Sequence, residues 1–245
     1  MWAIVPIKAL ESAKRRLADV LTPDERRALM LAMARDVLTA LARCRALTGV
    51  LIVSRAPEAD ALAQAFGTER FAESPDADLS MALTQAAEHL GEHLGAKGVM
   101  IVPADVPLIA PEEIEEILAG HGAVTVIPDD EHLGTNGLIC TPPTVIGFSF
   151  DGRSFRPHLE AAAAVGANPR VVPSPRFALD VDTPDDLKAL LARGPATQTA
   201  SFLHKSGVAS RLGVARAPDA AEGTSGAPLD GRSSDPHNGR LNPGP

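Results

Sequence analysis

Tyrosine is absent from this chain of 245 residues, tryptophan occurs once, as Trp2, and aromatics amount to only 3%. Single-stranded nucleic acids are held by stacking bases on aromatic rings, so that class of partner is excluded. Positive charge is also in deficit: 23 Lys and Arg face 31 Asp and Glu, a formal net charge of −8, which argues against a general nucleic-acid binder. The two cysteines, Cys44 and Cys140, have neither metal-ligand spacing nor the density of a disulfide framework. No run approaches the roughly eighteen apolar residues of a membrane span. Met1-Trp2-Ala3 leads straight into a strand pattern with none of the layout of a signal peptide. The expectation is a cytoplasmic protein with no membrane and no nucleic-acid partner.

What is present is hydrophobic enough, at 45%, for one sizeable domain with its own core. Ala3-Ile4-Val5-Pro6-Ile7 reads as a buried strand. Directly after it Lys8, Lys14, Arg15 and Arg16 crowd into nine residues of an otherwise acidic chain. Thr22-Pro23-Asp24-Glu25 is a helix start with a capping box, followed by Met30, Met33, Val37 and Leu41 at helical spacing. Further strands are expected at 49–53, 98–102, 123–127, 136–140 and 177–182. Helices are expected at 57–66, 78–94, from Pro111, at 154–165, and from Thr183-Pro184 to about Leu191. Strands alternating with helices imply an α/β fold, a mostly parallel sheet covered on both faces. Residues 1–193 are then one domain. Residues 194–245, rich in Gly and Pro, read as a low-complexity, disordered tail with room for a short helix around Phe202 to Leu212.

Four polar signals fall at carboxyl ends of strands: the Lys8 loop, Ser54-Arg55, Asp105 within Pro103-Ala104-Asp105-Val106-Pro107, and the Asp180/Asp182 pair. In a parallel sheet these ends share one edge, where open α/β folds bind ligands. Carboxylates facing cations across a crevice suit a magnesium–nucleotide site, since magnesium takes one or two carboxylates plus substrate phosphates. Taken singly, each signal has a plainer reading: a solvated basic turn, a turn-stabilising Asp105, or an Asp182 that starts a helix. His89, His93 and His158 read as surface residues of helices. No Gly-rich dinucleotide fingerprint, Walker sequence, Gly-x-Ser-x-Gly elbow or zinc spacing competes.

Five stretches together resemble one family. They are Pro6-Ile7-Lys8 with Ala13-Lys14-x-Arg16-Leu17, then Pro103-Ala104-Asp105-x-Pro107, Gly134-Thr135-Asn136, Ser154-Phe155-x-x-His158, and Asp180-Val181-Asp182-Thr183-Pro184-x-Asp186-Leu187. The family is the 2-phospho-L-lactate guanylyltransferases of coenzyme F-420 biosynthesis, which includes phosphoenolpyruvate and 3-phospho-D-glycerate guanylyltransferases. It is related to the molybdenum-cofactor guanylyltransferases and to the nucleotide-diphospho-sugar transferase fold. The resemblance implies that a phosphorylated three-carbon acid attacks the α-phosphorus of GTP and releases pyrophosphate. It implies Mg2+ held by Asp105 and Asp182 with Asp180 beside them, and Lys8, Lys14 and Arg16 as the catalytic cations on the triphosphate. It places Pro6, Ser54, Asp78, Ser80, Pro103 and Asp105 toward the nucleotide, and Thr135, Asn136, Asp151 and Ser154 toward the acid. A homodimer and a downstream transferase of the F-420 pathway are the macromolecular partners it suggests.

The chain departs from the family pattern at three places. It has Arg15 where Ser is usual, Ser80 where Asn is usual, and Phe150-Asp151-Gly152-Arg153-Ser154 where Phe-Gly-Pro-x-Ser is common. Two other functions stay open at this point. One is a nucleotidyltransferase of the same fold with molybdopterin or a sugar phosphate as acceptor, and the other is a non-catalytic nucleotide-binding protein.

Overall fold

Alternate residues of the first strand serve two different cores. In the computed structural model, which describes residues 1–7, 14–194 and 196–214, β1 (Trp2–Pro6) sends Ala3 and Val5 to one side and Ile4 to the other. The same period of two divides β2 (Gly49–Ser54), with Val50 and Ile52 opposed to Leu51 and Val53. It divides β4 (Val99–Ile101) likewise, Met100 against Val99 and Ile101. A strand with both faces apolar is one covered by helices on both sides.

The first face is covered by α1 (Pro23–Arg43), α2 (Glu58–Phe66), α4 (Pro111–Ala119) and α6 (Pro184–Arg193). The second is covered by α3 (Leu79–His93) and α5 (Phe155–Ala164). The sheet is completed by β3 (Glu69–Ala72), β5 (Val124–Pro128), β6 (Thr135–Cys140) and β7 (Arg170–Val171), in the order β3-β2-β1-β4-β6-β5-β7. Only β6 runs against its neighbours. From β1 the chain winds outward through β2 to β3, then returns to place β4 on the other flank of β1. The reversal creates a crevice beyond the carboxyl ends of β1 and β4. The expected α/β architecture is therefore the observed one, and no helix among the described residues is long and apolar enough to cross a membrane.

Three expectations need correction. The strand expected at 177–182 is irregular. Phe177, Leu179 and Val181 are buried alternately, but the segment is held by a turn from Ala178 N–H to Ser174 O and by Val181 N–H donating to Asp105 O at 3.0 Å. The alternation reported burial, not a ladder. Two strands escaped notice, β3 and β7, because both are short edge strands whose residues are largely exposed. The domain also does not stop at 193. Helices α7 (Gln198–Lys205) and α8 (Val208–Arg211) bury Ala200, Leu203 and Val208 in the first core. Asp36 of α1 accepts from Gln198 N–H, Thr199 N–H and Thr199 Oγ–H at 2.8, 2.8 and 2.6 Å. The rest of the expected tail lies outside the described residues.

Candidate active site

At the carboxyl edge of the sheet lies a cavity of about 1120 Å3. Its charged wall includes Arg16, Asp105, Asp180, Asp182 and Arg193. The local sequence fixes each of these groups. β4 ends at Ile101, and the turn after Pro103 presents Asp105. A single 3-10 turn at Arg15–Leu17 carries Arg16, after Lys14 in the left-handed conformation (φ 56°, ψ 45°). That conformation disfavours a residue with a Cβ by about 1 kcal/mol. Thr183 and Asp186 form a capping box at the start of α6, and Asp186 also accepts from the Asp182 N–H at 3.0 Å. The box that starts the helix therefore also holds Asp182.

The ammonium of Lys14 closes this constellation. Its Nζ donates to Asp105 Oδ2 at 2.6 Å and to Asp182 Oδ1 at 2.5 Å, joining side chains distant in sequence. Burial works against the charge of Lys14, but the two carboxylates outweigh it and hold its pKa above the ordinary lysine value. Asp180 goes the other way for a carboxylate. Burial and the nearby negative charge of Asp105 raise its pKa, opposed in part by a hydrogen bond from Asn136. Asn136 Nδ2 donates to Asp180 Oδ1 at 3.2 Å and to Phe177 O at 2.9 Å, so the irregular 177–182 segment is anchored to β6. Among the described residues, neither Arg16 nor Arg193 is paired with a carboxylate.

Elsewhere in the wall the buried groups are neutral, while the largely exposed 129–134 turn carries Asp129, Asp130 and Glu131. A bulge between Ile127 and Pro128 of β5 shifts the register beside Thr135, the first residue of β6. The 129–134 turn is tied by Asp129, whose carboxylate accepts from Leu133 N–H and Gly134 N–H at 2.8 and 2.7 Å. A Cβ on Gly134 would come within 2.8 Å of that carboxylate, so a larger residue there would push Asp129 aside. Thr135 and Ser154 are buried and line the cavity. Ser154 stands at the N-cap of α5, yet its hydroxyl makes no capping bond.

The expected site residues thus divide. Arg16, Pro103, Asp105, Thr135, Asn136, Ser154, Asp180 and Asp182 meet at one cavity, with Lys14 between two of its carboxylates. Lys8 lies outside the described residues. Pro6, Ser54, Asp78, Ser80 and Asp151 are not in the wall. Ser54 is fully buried, its hydroxyl spent on Ile7 O and Ala56 N–H. Asp78 caps α3 by accepting from Met81 N–H, and Ser80 Oγ accepts from Phe150 N–H. Asp151 accepts from Arg153 N–H on the surface. Asn136 faces the cavity, but its amide nitrogen serves Phe177 and Asp180.

Two groups were missed. Arg193 ends α6, and nothing in its sequence setting separates it from any basic helix terminus. His158, expected on a surface, has no exposure at all. Its four-residue offset from Ser154, one helical turn, was the available signal.

This combination of a doubly wound sheet with an acidic, cation-fringed crevice at its switch point is that of the nucleotidyltransferases. A protein of Desulfovibrio desulfuricans G20 described as a nucleotide-diphospho-sugar transferase superposes with a TM-score of 0.69 at 20% identity, covering 86% of this chain and 95% of its own. A nucleotidyl transferase of Methanothermobacter thermautotrophicus gives 0.57 at 17%, covering 83% and 98%. These likenesses establish the fold. The sequence goes further. Residues 1–219 match the family model "Guanylyl transferase CofC like". A phosphoenolpyruvate guanylyltransferase of Rubrobacter xylanophilus is 40% identical over 197 residues, 79% of this chain and 95% of that protein. A 2-phospho-L-lactate guanylyltransferase of Methanothermobacter thermautotrophicus is 32% identical over 225 residues, 88% and 98%. The chain belongs to the CofC-like guanylyltransferase family.

Proposed function

We propose that this protein transfers a guanylyl group from GTP to the phosphate of a three-carbon acid, 3-phospho-D-glycerate, 2-phospho-L-lactate or phosphoenolpyruvate, as a cytoplasmic step toward coenzyme F-420. The observation that carries the reading is the convergence of Asp105 and Asp182 on one cationic centre, the Lys14 ammonium, in the wall of a cavity fringed by Arg16 and Arg193. In the reaction an oxygen of the acceptor phosphate bonds to the α-phosphorus, and the bond from that phosphorus to the bridging oxygen of the β-phosphate breaks. The electron pair leaves with pyrophosphate.

A phosphate monoester has a second pKa near 6, so the nucleophile is largely ionised at neutral pH and no protein base is required. The buried His158 and the absence, among the described residues, of a serine–histidine hydrogen bond between side chains fit that requirement. What the chain must supply is alignment and neutralisation of charge. Arg16 and Arg193 have no carboxylate to serve among the described residues and suit the triphosphate. Leu79 and Pro103 offer apolar wall to the purine.

The carboxylates fit magnesium on their own chemistry. They are hard oxygen donors, two of them already share one cation, and Asp180 adds to the negative potential. No group of three or more candidate ligands occurs among the described residues, which matches an ion that completes its shell with phosphate oxygens and water. Asp105 and Asp182 would hold it, and when bound it would draw phosphate oxygens together and offset their charge. Lys14 would then turn from the carboxylates to the triphosphate.

The test is direct. The purified protein is incubated with Mg2+ and GTP, each acid is offered singly, and the product is identified by mass. A diphospho-guanosine adduct with release of pyrophosphate is expected for one acid at least. Transfer to molybdopterin or a sugar phosphate in its place, or to none of the acceptors, would refute the proposal.

A further inference from the structure

His158 is the one fully buried histidine of the described residues, and it joins the two segments that face the acceptor side of the cavity. Its Nε2 lies 3.1 Å from the backbone nitrogen of Ser149, and its Nδ1 lies 3.0 Å from Thr135 Oγ. A backbone N–H can only donate, so Nε2 must accept. In a neutral ring the proton is then on Nδ1, and Nδ1–H donates to Thr135. A doubly protonated ring would set two donors face to face at Ser149. Burial pushes the histidine pKa down to about 4, the attraction of Asp151 opposing it only in part.

The consequence falls on Thr135. Its oxygen is occupied as an acceptor, and its hydroxyl proton has no acceptor among the described residues. The residue is 5% exposed and lines the cavity. We infer that His158 is a positioning residue that fixes the polarity of the Thr135 hydroxyl, so that Thr135 offers the cavity a hydrogen-bond donor matched to an anionic oxygen of the acceptor acid. Were the ring flipped to the other tautomer, Thr135 would donate to His158 and turn lone pairs toward an anion. The inference rests on the proposed guanylyl transfer only for the identity of the ligand.

Two substitutions separate orientation from packing. In His158→Asn the amide N–H stands where Nδ1–H stood, so the donor to Thr135 is kept and the acceptor for Ser149 lost. In His158→Gln the amide oxygen reaches the Nε2 position, so the Ser149 contact is kept and the donor lost. Expected is a rise of about tenfold in the KM for the acceptor acid in His158→Gln. The KM for GTP and kcat stay within about twofold, and His158→Asn keeps the acceptor KM near that of the parent. Thr135→Val should raise the same KM, and adding His158→Gln to it should change nothing more. Equal effects of Asn and Gln, an equal effect on GTP, additivity in the double variant, or no effect would each overturn the inference.

Competitors identify the oxygen. Inorganic phosphate weakens as an inhibitor in His158→Gln if Thr135 meets the phosphate, glycerate if it meets the carboxylate, and weakening of neither counts against the inference. Should both variants fail to fold, nitrogen-15 spectra of the parent's imidazole decide: Nδ1 protonated and Nε2 bare is expected, and the opposite tautomer overturns it. If no acid accepts guanylyl from GTP, the proposed function fails, and the same spectra still test the assignment of His158.

Discussion

The two sides of the cavity differ in how their groups are held: ion-paired charges on one, and on the other buried neutral side chains next to the acidic 129–131 turn. On one, Asp105 and Asp182 share a buried lysine in left-handed backbone, with Asp180 nearby, and the two paired carboxylates stay partly open to water, Asp182 with 44% of its side chain exposed. On the other, Thr135 and Ser154 are buried and uncharged, with His158 buried behind Thr135. The ion-paired side concentrates negative potential that only a cation relieves, which suits handling phosphates. On the proposed function, the buried hydroxyls would tell one small acid from another, because a buried donor left unmatched costs more than a mismatched charge in water.

If that division is right, damage on each side has its own signature. The largest effect belongs to Asp105→Asn and Asp182→Asn. Each should lower kcat by about 10³-fold or more, since the group transfer depends on charge neutralisation, while circular dichroism and the melting temperature change little. Retained turnover in both would dissolve the distinction between the walls.

The buried neutral groups should instead respond to pH through stability. Unfolded, His158 binds a proton near pH 6.5; folded, only near pH 4. Between those values the unfolded chain holds more protons, so stability falls as pH drops through the window and levels off below 4. The loss is about 3 kcal/mol for a shift of this size. Denaturant titrations from pH 7 to 4 measure it, and His158→Gln should abolish this component of the pH dependence.

The smallest effect lies far from both walls. Asp36→Ala removes three hydrogen bonds between α1 and the start of α7 and should cost about 1–2 kcal/mol. That is several degrees in melting temperature, with kcat and both KM values unchanged. A change in catalysis there would mean that the C-terminal helices reach the site.

The same contrast governs what could be read from the sequence. Asp105 and the basic loop around Lys14 were legible because strand ends in a parallel sheet share an edge; Asp182 was joined to them through an expected strand that the structure replaces with an irregular segment. The capping box at Thr22 and the helix start at Thr183 were legible for a similar reason: the signals span three residues. The buried neutral groups were not. Whether His158 is buried depends on the 149–154 segment folding over it, and Ser54, with the same kind of sequence setting as Asp105, turned inward to satisfy backbone. Alternation at 177–182 gave the right buried face and the wrong element, since period two records which side chains are covered and is silent on hydrogen-bond partners. The short helix expected around Phe202 to Leu212 overlaps α7 and α8, but their place in the domain was obscured by low-complexity surroundings, because they are held by Asp36 and the flank of α1.

The central claim is that Asp105 and Asp182 act jointly on one ion. Manganese serves as a paramagnetic probe for magnesium, and its affinity in the presence of GTP is measured for the parent, Asp105→Asn, Asp182→Asn and the double variant. The account predicts that either substitution alone weakens binding nearly as much as both together. Independent losses that add in the double variant, or unweakened binding in either single one, would contradict it.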